Sequence, residues 1–187
     1  MHELATERLL LRRWTRADRA PFAELNADSE VMRYFPAPLT RRESDALADE
    51  IEALMARQGW GLWALQERAT GRFIGSTGLA HPTFEAPFTP AVEVGWRLSR
   101  GAWGAGFATE AATAALTFGF AELGLDEIIS FTVRDNARSR AVMNRLGMRH
   151  DDAGDFDHPR VAEGPLRRHV LYRLSAADWR TGAPPAL

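Results

Sequence analysis

The stretch Val92–Glu110, VEVGWRLSRGAWGAGFATE, decides how this chain is read. In its first third Val92, Val94, Trp96 and Leu98 alternate with Glu93, Gly95 and Arg97, the period of a half-buried strand. Gly101, Gly104 and Gly106 follow, then an Ala-rich stretch of helical character. A strand that turns through glycines into a helix presents free backbone N–H groups and the positive end of a helix dipole. That arrangement binds phosphate.

Two familiar phosphate loops fit poorly. Gly101 and Gly106 have P-loop spacing, but Phe107 and Ala108 stand where Lys and Ser/Thr would be needed. A dinucleotide fingerprint orders its glycines G-x-G-x-x-G, and this chain runs G-x-x-G-x-G. Asp126 sits at about the distance of a ribose-binding acid, but much of the chain precedes the loop and the glycine geometry is wrong.

A third reading fits. WRLSRGAWGAGFATEA is followed by a helix ending near Gly124, a strand, and then NARSRAVMNRLGM. This order resembles the GNAT superfamily of acyl-CoA-dependent N-acyltransferases, in its RimJ/RimL-like branch, from about Leu4 to Trp179. The superfamily motif is Gln/Arg-x-x-Gly-x-Gly/Ala, with Gly106 and Ala108 in its last two places and Trp103 in its first. The resemblance implies an α+β fold, a single-domain, mostly antiparallel, mixed sheet flanked by helices and splayed to admit the pantetheine arm. It also implies acetyl-CoA as co-substrate, held by Trp96, Leu98, Trp103, Gly104, Ala105, Gly106, Phe107, Ala108, Thr109, Asn136 and Ser139.

Composition agrees with an ordinary globular chain. Its 187 residues suit one domain (4–179, with a disordered tail over 180–187), and 45% are hydrophobic against 26% charged. No apolar run approaches the length of a membrane span and no signal-peptide pattern opens the chain, so a cytoplasmic protein is expected. A net charge of −2 speaks against a broad nucleic-acid surface. The expected partners are acetyl-CoA, an amine acceptor and, at most, a second copy as a homodimer. There is no cysteine, which excludes disulfides, thiolate-rich zinc sites and an acyl-cysteine intermediate. Direct attack of the amine on the thioester is the simplest remaining route.

The rest of the chain reads as strands over 8–14, 60–67, 73–79, 128–133 and 170–174, and helices over 15–26, 40–55, 107–123 and 137–146. Thr40-Arg-Arg-Glu43 is a capping box, and Thr15 with Asp18 an imperfect one. Val31–Phe35 reads as a short helical turn stopped by prolines, 81–91 and 150–169 as irregular, and Ser175–Asp178 as at most one turn. His150, Asp151, Asp152, Asp155, Asp157 and His158 match no metal-site spacing and read as a solvated loop, so no metal is expected. Trp60, Trp63 and Trp96 read first as core, and His169 as a core or surface histidine.

Candidate catalytic residues follow from position and resemblance. Glu93 faces away from the apolar side of its strand, and in several GNAT branches a Glu on this strand takes the proton of the ammonium nucleophile. Asn136 is well placed to cap a helix, and the matching residue in similar proteins touches the pantetheine arm. In RimL-like enzymes the residue matching Ser139 lies near the thioester sulfur and protonates the leaving thiolate. Met143 stands where many relatives carry an acidic tyrosine. Tyr34 and Phe84, in two proline-restricted aromatic segments, are the candidate walls of the acceptor pocket, which Glu93 completes. Arg33 and Glu85 are placed to select acceptor charge. The leading function is therefore an N-acetyltransferase acting on a small amine or a protein N-terminal α-amine. The alternative is a protein that binds acyl-CoA without turning it over.

Overall fold

The computed structural model describes residues 2–182. Its strands are β1 (Leu4–Ala5), β2 (Leu9–Arg12), β3 (Leu62–Glu67), β4 (Phe73–Ala80), β5 (Glu93–Leu98), β6 (Glu127–Val133), β7 (Arg149–His150), β8 (Phe156–Asp157) and β9 (Arg168–Ser175). The α-helices are α1 (Arg19–Ala27), α2 (Arg41–Gln58), α3 (Phe107–Ala121), α4 (Ala137–Arg145) and α5 (Ala176–Thr181). One mixed sheet runs in the order β1-β2-β3-β4-β5-β6-β9-β7, with β8 also on β9. Every pairing is antiparallel except β5 with β6. That exception is dictated by the β5–α3–β6 crossover, since parallel neighbours need a long connection.

Helices cover both faces. The Ala-rich face of α3 buries Ala111, Ala112, Ala115, Leu116 and Phe118. Small residues let α3 approach the sheet closely: a Cβ on Gly119 would stand 2.7 Å from Ile128 Cδ1 and 3.0 Å from Leu79 Cδ1. The opposite face of the first half carries α1 and α2. The Thr40–Glu43 capping box forms as the sequence predicts, and Gly59, at φ 83°, closes α2 in the left-handed region.

Several boundaries differ from the sequence reading. The strand β1 and the two short strands β7 and β8 leave no sequence pattern, because two residues carry no measurable period; β2 and β9 set their register. Residues 16–18 form a 3₁₀ turn before α1, with the Asp18 carboxylate accepting from the Thr15 N–H and hydroxyl. Val31–Phe35 forms the short turns expected there, with the Met32 N–H bonded to the Asp28 carbonyl and the Phe35 N–H to the Met32 carbonyl. At the end of the chain, Ser175 caps a helix that continues to Thr181, so Arg180 and Thr181 are helical rather than part of a tail. The remainder of the expected tail, 183–187, lies outside the described residues.

Candidate active site

The glycine loop begins where β5 ends. After a 3₁₀ turn over Arg100–Ala102, Gly104 and Gly106 take φ of 77° and 83°, which only glycine adopts without strain. Gly106 is the N-cap of α3 and no side chain caps that end. The N–H groups of Phe107, Ala108 and Thr109 thus have no partner inside the helix and point outward at its positive end.

Long-range contacts lock this turn in place. The Arg8 guanidinium donates to the Ala105 carbonyl at 2.8 Å and to Glu110 at 2.6 Å, and lies 4.7 Å from the centre of the Phe107 ring. Thr6 donates its hydroxyl to the same Glu110 carboxylate at 2.5 Å. Burial pushes the Glu110 carboxyl up, but the bonds from Thr6 and Arg8 and the Arg8 charge outweigh it and hold the group below its ordinary range. A cleft of about 440 Å³ lined by Arg8, Arg68 and Phe107 opens beside this helix start. Trp103, which replaces the motif's Gln/Arg, donates its indole N–H to the Leu98 carbonyl at 2.8 Å and carries the Arg138 guanidinium 4.3 Å above its ring. Its side chain braces the loop.

Beside the loop the sheet divides. β5 and β6 share one register pair, Glu93 with Ile129. The Val92 carbonyl accepts from the Ile129 N–H, and the Val94 carbonyl accepts from the Ser130 hydroxyl at 2.9 Å. Both carbonyls point toward β6, so by strand alternation the next backbone groups on that edge belong to Trp96. No β6 strand pairs with them. An extended ligand arm laid along this edge finds backbone partners there.

Glu93, Gly95 and Arg97 share the face of β5 opposite buried Val94 and Leu98. Across from them β4 sets Ala80, Gly78 and Ser76. A Cβ built on Gly95 meets no atom within 4 Å, so the floor between Glu93 and Arg97 is open. Glu93 keeps some solvent contact, yet burial pushes its carboxyl up to about 7. Burial likewise lowers the Arg97 guanidinium to about 10.

At the start of α4, Asn136 accepts from the Ser139 N–H at 3.3 Å and donates to the Thr132 hydroxyl at 2.9 Å and to Ser139 Oγ at 3.1 Å. Asn136 is therefore a cap, and it orients Ser139. The Ser139 hydroxyl donates to no group among the described residues. Met143 is buried in the core. Tyr34 donates its hydroxyl to the Asp135 carbonyl at 3.1 Å, which draws the 31–38 segment across to the residue before Asn136. Phe84 packs into an aromatic cluster with Phe88, Phe131, Phe156 and His158. Only the flank of the 81–91 loop that this cluster leaves uncovered is available to a ligand. Trp63 is fully buried, whereas Trp60 and Trp96 pack at the border of the core.

Three structural contributors, Arg8, Thr6 and Asn26, lie outside the sequence motifs. Each acts through contacts distant in the chain, with no local signal. Burial lowers both His158 and His169, whose rings stand 5.0 Å apart. His150 lies between Asp155 at 2.8 Å and Asp152 at 3.1 Å, and three donor atoms of that group lie within 4.8 Å of one another. Asp155 is already engaged by the Leu171 N–H. Among the described residues no helix is long and apolar enough to cross a membrane.

A β-α-β unit with an uncapped helix start beside a sheet opening can take a phosphate at the helix start and an extended arm along the strand edge. Residues 8–149 match the family described as Acetyltransferase (GNAT) domain, and the chain belongs to that family. It is an acyl-CoA-dependent N-acyltransferase, and acetyl-CoA is the co-substrate of the family. The chain is 33% identical to the FsC-acetyl coenzyme A-N(2)-transacetylase of Aspergillus fumigatus, over 88% of this chain and 72% of that one. An acetyltransferase of the GNAT family from Bacillus anthracis has the same fold, with a TM-score of 0.78, 24% identity, and coverage of 94% of this chain and 99% of that one. The ribosomal L7/L12 α-N-protein acetyltransferase RimL, solved with coenzyme A, aligns with a TM-score of 0.73 at 15% identity, over 93% of this chain and 98% of that one. None of these relatives supports a binding protein without turnover.

Proposed function

We propose that the protein transfers the acetyl group of acetyl-CoA directly to a primary amine within a ternary complex, with Glu93 as general base. The observation that carries this reading is the position of Glu93. It stands on the one register pair that β5 shares with β6, with a carboxyl raised by burial to about 7. A base titrating near neutrality balances proton affinity against the fraction ionised.

In this reading the pyrophosphate lies on the backbone N–H groups of Gly104 to Thr109. The pantetheine arm follows the free edge of β5 past Leu98 and Trp96, with Trp103 bracing the loop and Asn136 on the far wall. The thioester then rests beside Glu93. Ionised Glu93 takes a proton from the ammonium, and the neutral amine nitrogen bonds to the carbonyl carbon. As the tetrahedral adduct collapses the C–S bond breaks and the thiolate takes the Ser139 hydroxyl proton; the adduct nitrogen passes its second proton through solvent to the Ser139 oxygen, and Glu93 releases the first to solvent. Amide and free CoA are the products. The absence of cysteine and the juxtaposition of both substrates on one strand support direct transfer over an acyl-enzyme.

The acceptor is a small-molecule amine or a protein N-terminal α-amine, entering between the 31–38 segment with Tyr34 and the 81–91 loop with Phe84. The Aspergillus fumigatus relative is named as an N(2)-transacetylase, which supports a nitrogen acceptor. A CoA-release assay over amines and N-terminal peptides tests this. Turnover of an amine with a new amide confirmed by mass supports it; binding of acetyl-CoA with no amine acetylated in either class refutes it.

A further inference from the structure

Arg97 is a half-buried cation without a counter-ion. Among the described residues no carboxylate lies within ion-pair distance of it, although burial of an unpaired charge is costly. The fold holds it by other means. Arg97 Nη1 donates to Asn26 Oδ1 at 2.6 Å, and Asn26 Nδ2 donates to Ser44 Oγ at 2.9 Å. Asn26 and Ser44 are both fully buried. The Phe35 ring covers one face of the guanidinium, 4.2 Å from its centre. A neutral amide and a ring orient the cation but leave its charge uncompensated.

The remaining edge of the fork is open. Arg97 Nε and Nη2 make no hydrogen bond among the described residues, and these two donors match the two oxygens of a carboxylate. On the same face of β5 lie the uncovered floor at Gly95 and, two residues beyond it, Glu93. A cofactor role is disfavoured by placement. Arg97 points to the α1 side, where Asn26 and Phe35 sit, whereas the glycine loop feeds α3 on the opposite face.

We infer that Arg97 is the anion-recognising residue of the acceptor site, and that the acceptor amine carries a carboxylate several bonds from its nitrogen. The inference rests on the transfer reading above, because it takes Glu93 as the place of the amine. Four residue steps along the strand separate the two Cα atoms by about 13 Å. Both side chains leave the same face of β5, so the span suits an ω-amino acid or a dipeptide better than an α-amino acid.

The test compares ε-aminocaproate with its amide, and glycylglycine with glycylglycinamide, by CoA release. The expected result is a kcat/KM about tenfold or more higher for the carboxylate in at least one pair, the scale of a charge-assisted hydrogen bond. Arg97→Gln should raise the acceptor KM of that acid and bring the preference within about twofold, while the acetyl-CoA KM holds and Arg97→Lys restores part of the preference. No preference in the wild type, or equal losses for acid and amide in Arg97→Gln, overturns the assignment. If none of the four is acetylated, calorimetry of caproate with the CoA-loaded protein separates the two readings. Binding that Arg97→Gln abolishes keeps the anion site and removes transfer to these amines. No binding to the wild type overturns the anion site itself.

Discussion

Glu93→Gln replaces a partly buried carboxyl by an amide of nearly the same shape, and its consequences for stability and rate can be separated. The folded protein raises this carboxyl from its ordinary 4.5 to about 7 through burial. That interval corresponds to about 3 kcal/mol between the two protonation states, an upper limit because the side chain keeps some solvent contact. The folded pKa lies above the unfolded one, so the folded state binds the proton more tightly. Stability from this group is therefore full below about pH 4.5, falls as pH rises through 7, and is constant above. Gln has no such titration. Urea unfolding of both proteins should find them alike at pH 4.5 and the variant more stable by about 1 to 3 kcal/mol at pH 8. The difference between the two curves matters, since other carboxylates, Glu110 among them, titrate in both. The rate moves the other way: wild-type kcat/KM should rise through a midpoint near 7, and the variant should lose about 10²- to 10⁴-fold and that midpoint. A stability difference independent of pH would refute the buried environment of Glu93. Equal rates would remove it as the base.

Other substitutions probe the remaining parts. Gly106→Val forces a β-branched residue into φ 83° with Arg8 at 3.4 Å from the new Cβ, and should weaken CoA binding at least tenfold by calorimetry in a folded protein; unchanged affinity would remove the loop from the pyrophosphate site. Ser139→Ala should lower kcat about 10²-fold with CoA affinity near wild type, and the loss should shrink with a thioester of a more acidic thiol, whose departure needs less protonation. Tyr34→Phe removes the tie to Asp135 and should raise the acceptor KM but not the acetyl-CoA KM, as steady-state kinetics would report. Phe84→Ala should in addition destabilise the fold by about 2 kcal/mol or more in urea titrations, because its ring packs against Phe88, Phe131 and Phe156.

What the sequence revealed depended on how far each feature reaches along the chain. The glycine loop was legible because strand period, glycines and helix start are contiguous. The outward face of Glu93 was legible because strand alternation is local. The bond from Arg8 to Glu110 was not, since 102 residues separate the partners and neither carries a local mark. Arg97 was visible only as a polar-face residue; its bond to Asn26, 71 residues away, turns it into an oriented cation. Phe84 gave the opposite difficulty. Its loop context was clear, but the cluster that holds its ring is assembled from β6 and β8, and β8 is too short to show a pattern.

The geometry of β5 also accounts for the order of events expected at the site. One strand offers three surfaces: an apolar face packed against α3, a free backbone edge toward β6, and a polar face bearing Glu93 and Arg97. In the proposed reading, a thioester on the edge and an amine on the polar face would meet where β5 and β6 begin to part, at Glu93. Holding both reactants on a single rigid element removes the need for a covalent relay, because orientation alone supplies much of the rate advantage of an intramolecular reaction. Trp103 and Arg138 join the glycine loop to α4 across the mouth of the same opening. Cofactor bound between those elements is thereby held in register with β5 before the amine arrives, which predicts that acetyl-CoA binds first and that the acceptor KM, measured by initial rates, is the parameter most sensitive to changes on the polar face. Initial-rate patterns showing obligatory release of CoA before the acceptor binds would contradict this order and indicate an acyl-enzyme.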